Sequence, residues 1–275
     1  MSRLGKLELL LKTRPLVCDG AMGTQLQQLG LAPGACGVAW NIEAPDRVRT
    51  VHQRYLDAGA DLLTTNTFSG TSLALAGHGL GARAAELNRA AAALAREVAG
   101  DRAFVLGDMG PFGGLLEPYG DAEPEAVKQA FAEQAAALLE GGADVLLVET
   151  MSDPAEAVLG IEAAREAGAA LVMTSFAFQQ SGDTFRTMMG TTVADAVRAA
   201  VQAGAGIVGA NCGTELALET YIRLAEELVA AAGDVPVVVQ PNAGSPEVVD
   251  GEIVYRTTPE AFGAAAVRFV EAGAR

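Results

Sequence analysis

Residues 141–150 read GGADVLLVET. Two glycines close an alanine-rich stretch with helical character, PEAVKQAFAEQAAALLE (124–140), and an apolar run of strand length follows at once. Glycine is the usual residue just past a helix C-terminus, because it adopts the left-handed conformation without a Cβ penalty. The run VLLV is continuous rather than alternating, the pattern of a parallel strand covered on both faces. It stops at Glu149 and Thr150, so a carboxylate stands where the strand leaves the core.

The same rhythm recurs along the chain. Ala58-Gly59-Ala60 precedes DLLTTNTF, Ala167-Gly168-Ala169 precedes ALVMTSF, and Ala203-Gly204-Ala205 precedes GIVGANC. Three further strands have less regular lead-ins: PLVCDG (15–20), AFVLGDMG (103–110) and VPVVVQPNAG (235–244). Strands are therefore expected at 15–19, 61–66, 103–108, 144–149, 170–175, 206–211 and 235–240, with helices between them. Strands alternating with helices imply βα units and a parallel sheet. A closed barrel of this kind needs eight strands. The last helix, TPEAFGAAAVRFVEAGAR, begins with Thr258 as N-cap and Pro259 at the first helical position. It ends in Ala272-Gly273-Ala274, the tripeptide that elsewhere introduces a strand. The expectation is an α/β fold, a (β/α)8 TIM-type barrel ending before its eighth strand, forming one domain over 1–275. Such a gap would expose strand edges, so a neighbouring chain or a lower stability is expected.

Composition narrows the function. The net charge is −15, which argues against nucleic acid and against an anionic membrane surface, since both need a basic footprint. Half the residues are hydrophobic, enough for a sizeable core. No apolar run reaches the roughly 18 residues that suggest a membrane span. The start, MSRLGKLELLLKTRPLV, mixes charges among its leucines and reads as an amphipathic helix rather than a signal peptide. A cytoplasmic location is expected. Three widely spaced cysteines do not make a disulfide framework.

In a βα barrel the chemistry sits at the C-terminal ends of the strands. Those ends carry Asp19-Gly20, Thr65-Asn66-Thr67, Gly107-Asp108, Glu149-Thr150, Thr174-Ser175, Asn211-Cys212-Gly213 and Gln240-Pro241-Asn242. Carboxylates, amides, hydroxyls and one thiol, with few basic groups, suit a small substrate bearing an ammonium. Glu149 or Asp19 would pair with it, and the backbone around Gly20 would hold a carboxylate. Each residue has a plainer role too. Asp19 before Gly20 can cap a turn, Asp108 can fix the GDMGP turn, and Cys18 can be core. His52 and His78 lie away from strand ends. Cys212 is either a small core residue or a functional thiol, and its place between Asn211 and Gly213 at a strand end favours function. A Schiff-base aldolase is disfavoured because no lysine stands at a strand end.

Five motifs in order, DGAMGTQLQ, WNIEAPDRVRTVHQRYLDAGADLLTTNTF, ETMSD, GANCG and QPNAG, resemble the homocysteine S-methyltransferase family. The resemblance is strongest to the homocysteine-binding barrel of its cobalamin-dependent members, and it runs over the whole chain. It implies a barrel that methylates the thiol of homocysteine to give methionine. It implies zinc, with Cys212 as one thiolate ligand and as the catalytic cysteine, and Asn242 as a weaker candidate ligand. The family's other two thiolates lie on strand eight, and neither Cys18 nor Cys36 matches them. Asp19, Gly20 and Glu149 would hold the amino-acid end of the substrate, and Asn66 joins them by its strand-end position. The DGAMGT form favours methylcobalamin as methyl donor, carried on another domain or a corrinoid-protein partner, with S-methylmethionine or a betaine-like donor as the alternatives the resemblance leaves open. The alternative is a non-zinc relative that methylates another small nucleophile or only binds an amino acid or corrinoid partner.

Overall fold

The computed structural model describes residues 2–213, 216–244, 247–249, 252–254 and 256–275. The chain divides into two compact units, Met1–Glu149 with Leu159–Met173, and Thr150–Val158 with Thr174–Arg275.

The first unit holds β1 (Leu62–Thr64), β2 (Phe104–Met109), most of β3 (Val145–Met151) and the start of β4 (Val172–Phe176), in the order β1-β2-β3-β4. Pairing is parallel: Leu62 sits opposite Phe104, and Leu106 opposite Val145. All six residues of β2 and the VLLV of β3 are buried, as continuous apolar runs require. Helices Pro45–Asp57 and Ala84–Ala99 cover this sheet, and Leu56, Ala60, Leu63, Ala95, Ala99 and Val105 pack into one cluster. The N-terminal helix Arg3–Thr13 is anchored through Arg3, which donates to Asp144 at 2.8 Å. Asp144 also accepts from Arg96 and from the Val105 N–H at 2.9 Å.

The strand expected at 15–19 is a correction. Only Cys18 bridges, in parallel, to Leu62. Side chains take over the ladder on both sides of it. Pro15 has no N–H, the Val17 N–H donates to the Asp61 carboxylate at 3.0 Å, and the Thr64 N–H donates to the Asp19 carboxylate at 2.8 Å. A carboxylate acceptor replaces a backbone carbonyl, and regular pairing ends there.

The second unit holds the ends of β3 and β4, followed by an antiparallel hairpin, β5 (Phe178–Ser181) with β6 (Thr184–Thr187). The βα rhythm does not foresee this hairpin. β7 (Ile207–Cys212) lies between β4 and β8 (Val237–Pro241) and pairs with β8 in parallel from Val208 opposite Val237 to Cys212 opposite Pro241. A second antiparallel pair, β9 (Glu247–Val249) with β10 (Glu252–Val254), follows. Thr258 caps the last helix by accepting from the Ala261 N–H at 3.2 Å, as its sequence suggests. The glycines of the repeating tripeptides, Gly59, Gly142, Gly168 and Gly204, share φ between 101° and 108°. Each turns a helix end directly into the following strand, which is the conformation glycine alone adopts at no cost.

Candidate functional site

In the first unit three acids gather at strand ends. Asp19 receives both the N–H and the hydroxyl of Thr64, at 2.8 and 2.7 Å. Burial pushes its carboxyl up to about 7, against the pull of the Thr64 hydrogen bonds, and the Glu149 charge adds to the rise. Asp108 is only 3% exposed inside β2. Its carboxyl stands within hydrogen-bond reach of the Glu149 side chain, and its Oδ1 receives no protein donor among the described residues. Burial and then Glu149 hold the Asp108 carboxyl well above the usual carboxylate range. Glu149, half-buried at the end of β3, is raised by burial and pulled back by its bond to Asp108. The backbone around Asp108 is fixed: its N–H donates to Thr65 Oγ1 at 2.9 Å, and its carbonyl accepts from Thr67 at 2.7 Å and Gln134 at 3.1 Å.

Among the described residues no Lys or Arg pairs with any of the three acids, although the same chain forms many other ion pairs. Buried carboxylates without a cation either keep protons or await a cationic ligand. Gly20 follows Asp19 beneath Tyr55, where an added Cβ would stand 2.9 Å from the ring. Tyr55 itself donates to the Ala21 carbonyl at 3.0 Å. Asn66 is placed differently from these. Its amide hydrogens go to the Gly37 carbonyl at 2.7 Å and Asn41 Oδ1 at 3.1 Å, so it pins the 37–41 segment while its Oδ1 faces that segment's glycine.

In the second unit the thiol of Cys212 ends β7. Cys212 and Thr150 are the two non-glycine residues with positive φ among the described residues, at 53° and 60°. Asn211 links them: its Nδ2 donates to Thr150 Oγ1 at 2.6 Å and lies 3.5 Å from Cys212 Sγ. Ser175 donates to Asn211 Oδ1 at 2.9 Å and accepts from the Thr150 N–H at 3.4 Å. Left-handed backbone at such residues costs about 1 kcal/mol or more and persists where surrounding bonds over-determine it. Tyr221, 1% exposed, has a hydroxyl with no hydrogen-bond partner, and burial and the neighbouring Cys212 raise its phenol well above the ordinary range. Asn242 is exposed, one residue past Pro241, the β8 partner of Cys212.

None of the three cysteines is in a disulfide. Burial, and then the charges of Asp19, Glu149 and Asp61, push the Cys18 thiol up to about 12, so it stays protonated. Cys36 packs against the Val38, Leu75, Ala84 and Leu87 cluster. Among the described residues no group of three or more His, Cys, Asp or Glu could hold a metal ion. The donor set present therefore does not fit a zinc site by itself.

Sequence reasoning put Asp108 among the strand ends but left it as a turn residue, placed Thr150, Ser175 and Asn211 at strand ends without a role of their own, and passed over Thr64. The signal for Asp108 was a charge inside the otherwise apolar FVLGDM of a buried strand.

The fold and the acid-lined strand ends define an α/β protein of the TIM-barrel type. The homocysteine methyltransferase MmuM from Escherichia coli superposes on 98% of this chain and 92% of its own, with a TM-score of 0.79, at 24% identity in its metallated form and 26% in its oxidized form. The methionine synthases of Mycobacterium leprae and Mycobacterium tuberculosis are 33% and 32% identical over 94% of this chain. The chain spans about a fifth of the length of these two relatives, 22% and 23%. The homocysteine S-methyltransferase profile matches residues 16–275. The chain belongs to the homocysteine S-methyltransferase family.

Proposed function

We propose that this chain binds L-homocysteine and presents its thiol for methylation to methionine. The observation that carries the reading is the cluster of acids, Asp108 buried and Asp19 and Glu149 half-buried, with no protein cation beside them among the described residues. A primary ammonium is the ligand such a set selects, and family membership names the amino acid.

Asp19, held by Thr64, and Glu149 take the ammonium, and the backbone around Gly20, which has no side chain because Tyr55 packs against it, takes the carboxylate. Asn66 shares their strand-end position, and we assign it the supporting role of holding the 37–41 segment. In the reaction the substrate sulfur forms a bond to the methyl carbon as the bond between methyl and donor breaks, and the thiol proton leaves. The thiolate is the reactive form. Cys212 is the thiol we assign to the reaction centre, with Asn242 as the weaker metal-ligand candidate. Zinc would need ligands from outside the described residues, so no step here is routed through it. The donor we favour is a methyl-corrinoid on another domain or partner protein, in keeping with the methionine synthase relatives. No helix among the described residues is long and apolar enough to cross a membrane.

The test is methyl transfer from methylcobalamin to L-homocysteine, with zinc content per chain measured as homocysteine is titrated. Activity lost in Cys212→Ala and sharply weakened in Glu149→Gln is expected. Binding of homocysteine without zinc, and methylation of a different small nucleophile, would instead establish the non-zinc relative.

A further inference from the structure

Two carboxyl groups hydrogen-bond each other only when one of them carries a proton, because ionised carboxylates are acceptors only. Asp108 and Glu149 stand within hydrogen-bond reach of each other, and each acts on the other's carboxyl. Asp108 is the deeper of the two, at 3% exposure, and its buried Oδ1 receives no hydrogen bond from any described protein donor. An unpartnered carboxyl oxygen inside a strand is costly unless something arrives to use it. The groups that face this pair are also accounted for. Asp19 and Glu149 act on Asp108 and raise it further; Cys18 and Tyr55 sit beside Asp19 and are themselves raised, so neither brings positive charge; Asp61, the next acid out, is neutralised by Arg14. The Met109 N–H favours the ionised form of Asp108 and is outweighed by burial and the neighbouring acids.

We propose that Asp108 is a positioning residue that stores a proton on the Asp108–Glu149 pair in the free protein, and that a bound primary ammonium displaces that proton. The inference rests on the homocysteine reading and deepens it. In the free state the proton bridges the two carboxyls and relieves the repulsion of three neighbouring like charges. When the ammonium enters, its N–H donors replace the shared proton, both carboxyls become acceptors, and one proton leaves to solvent. Charge balances: one cation enters and one proton departs. Binding is then an exchange, and apparent affinity rises with pH while the pair remains protonated in the free protein.

L-Methionine separates this proton from that of a substrate thiol, since it has the ammonium and no ionisable thiol. Calorimetric titration in buffers of differing ionisation heat at about pH 8, where Asp19 is already ionised, counts the protons released. About one proton per L-methionine is expected from the wild type, with affinity rising up to about tenfold per pH unit above pH 7. Asp108→Asn, whose amide keeps a donor toward Glu149, is expected to release none and to bind with a flat pH profile. Binding by the wild type without proton release, or unchanged release in Asp108→Asn, overturns the proposal. Failure of both L-methionine and L-homocysteine to bind would sink the homocysteine reading instead. The proton is then located in the free protein by infrared spectroscopy. The wild type must show the carbonyl band of a protonated carboxylic acid at about pH 8, and Asp108→Asn must lose it. A wild type without that band overturns the proposal whatever the titration shows.

Discussion

Asp19 and Cys212 illustrate two ways in which a residue can oppose its own stability. Asp19 has a folded carboxyl near 7 against 3.8 in a free chain. The folded state therefore binds the proton more tightly, so the stabilising contribution is full below about pH 4 and lost as pH rises through 7. Asp19→Asn is expected to raise the urea midpoint at about pH 8 and to leave it unchanged at about pH 3, while weakening homocysteine binding about 10²-fold or more, as loss of one partner of a buried charge pair does. A neutral variant that gained nothing at the higher pH would contradict this. Cys212 sits at φ 53°, where a Cβ is strained. Cys212→Gly is expected to be at least as stable as Cys212→Ala, with denaturant midpoints as the measure, although it removes more atoms. That Cys212 and Glu149 stand at strand ends was legible in GANCG and VLLVET. The strain at Cys212 and Thr150, and the proton between Asp108 and Glu149, were not, because each depends on neighbours about 40 or more residues away.

At the scale of elements, close backbone approach decides tolerance. β7 and β8 run so near each other that a Cβ on Gly209 would lie 1.9 Å from the Val238 carbonyl oxygen. Backbone cannot move aside as a side chain can. Gly209→Ala is expected to cost about 3 kcal/mol or more, the upper range for overpacking, and to lower cysteine-end function with it; chemical denaturation measures the loss. Asp144 is the other pinning point, receiving Arg3, Arg96 and the Val105 N–H at the start of β3. Asp144→Ala removes the acceptor shared by Arg3, Arg96 and the Val105 N–H, while Arg3 keeps Ala103 and Gly100 and Arg96 keeps Gly142, and is expected to cost about 1.5–3 kcal/mol, with the N-terminal helix the first segment to lose hydrogen-exchange protection. The sequence revealed the six parallel strands through glycine and apolar runs. It misread 15–19, because Asp61 and Asp19 substitute their side chains for ladder carbonyls. It missed the β5–β6 hairpin, whose QQSGDTF turn breaks the βα rhythm without an apolar signal of its own.

The molecule as a whole carries opposing pH dependences. His52 is fully buried with neither ring nitrogen bonded, and burial lowers its pKa to about 4. A group depressed in the fold contributes stability above its unfolded pKa of 6.5 and loses it as pH falls toward 4. That loss is on the order of 3 kcal/mol. His52→Leu is expected to narrow the gap in stability between about pH 7 and pH 4 by that order, read from denaturation curves at both; an unchanged gap would show that His52 is not buried neutral. The three site acids slope the other way, so the difference between variant and wild type isolates the histidine. What the sequence determined by itself is the alternation of helix and parallel strand, the family, and the residue types available at the strand ends, because all three are written in local periodicity, glycine placement and short motifs. What only the tertiary structure decided is which of those groups share protons, which bear strain, and which are spent on structure, as Asn66 is on Gly37 and Asn41. Burial and hydrogen bonding between distant segments set those outcomes, and neither is a property of any stretch of sequence taken alone.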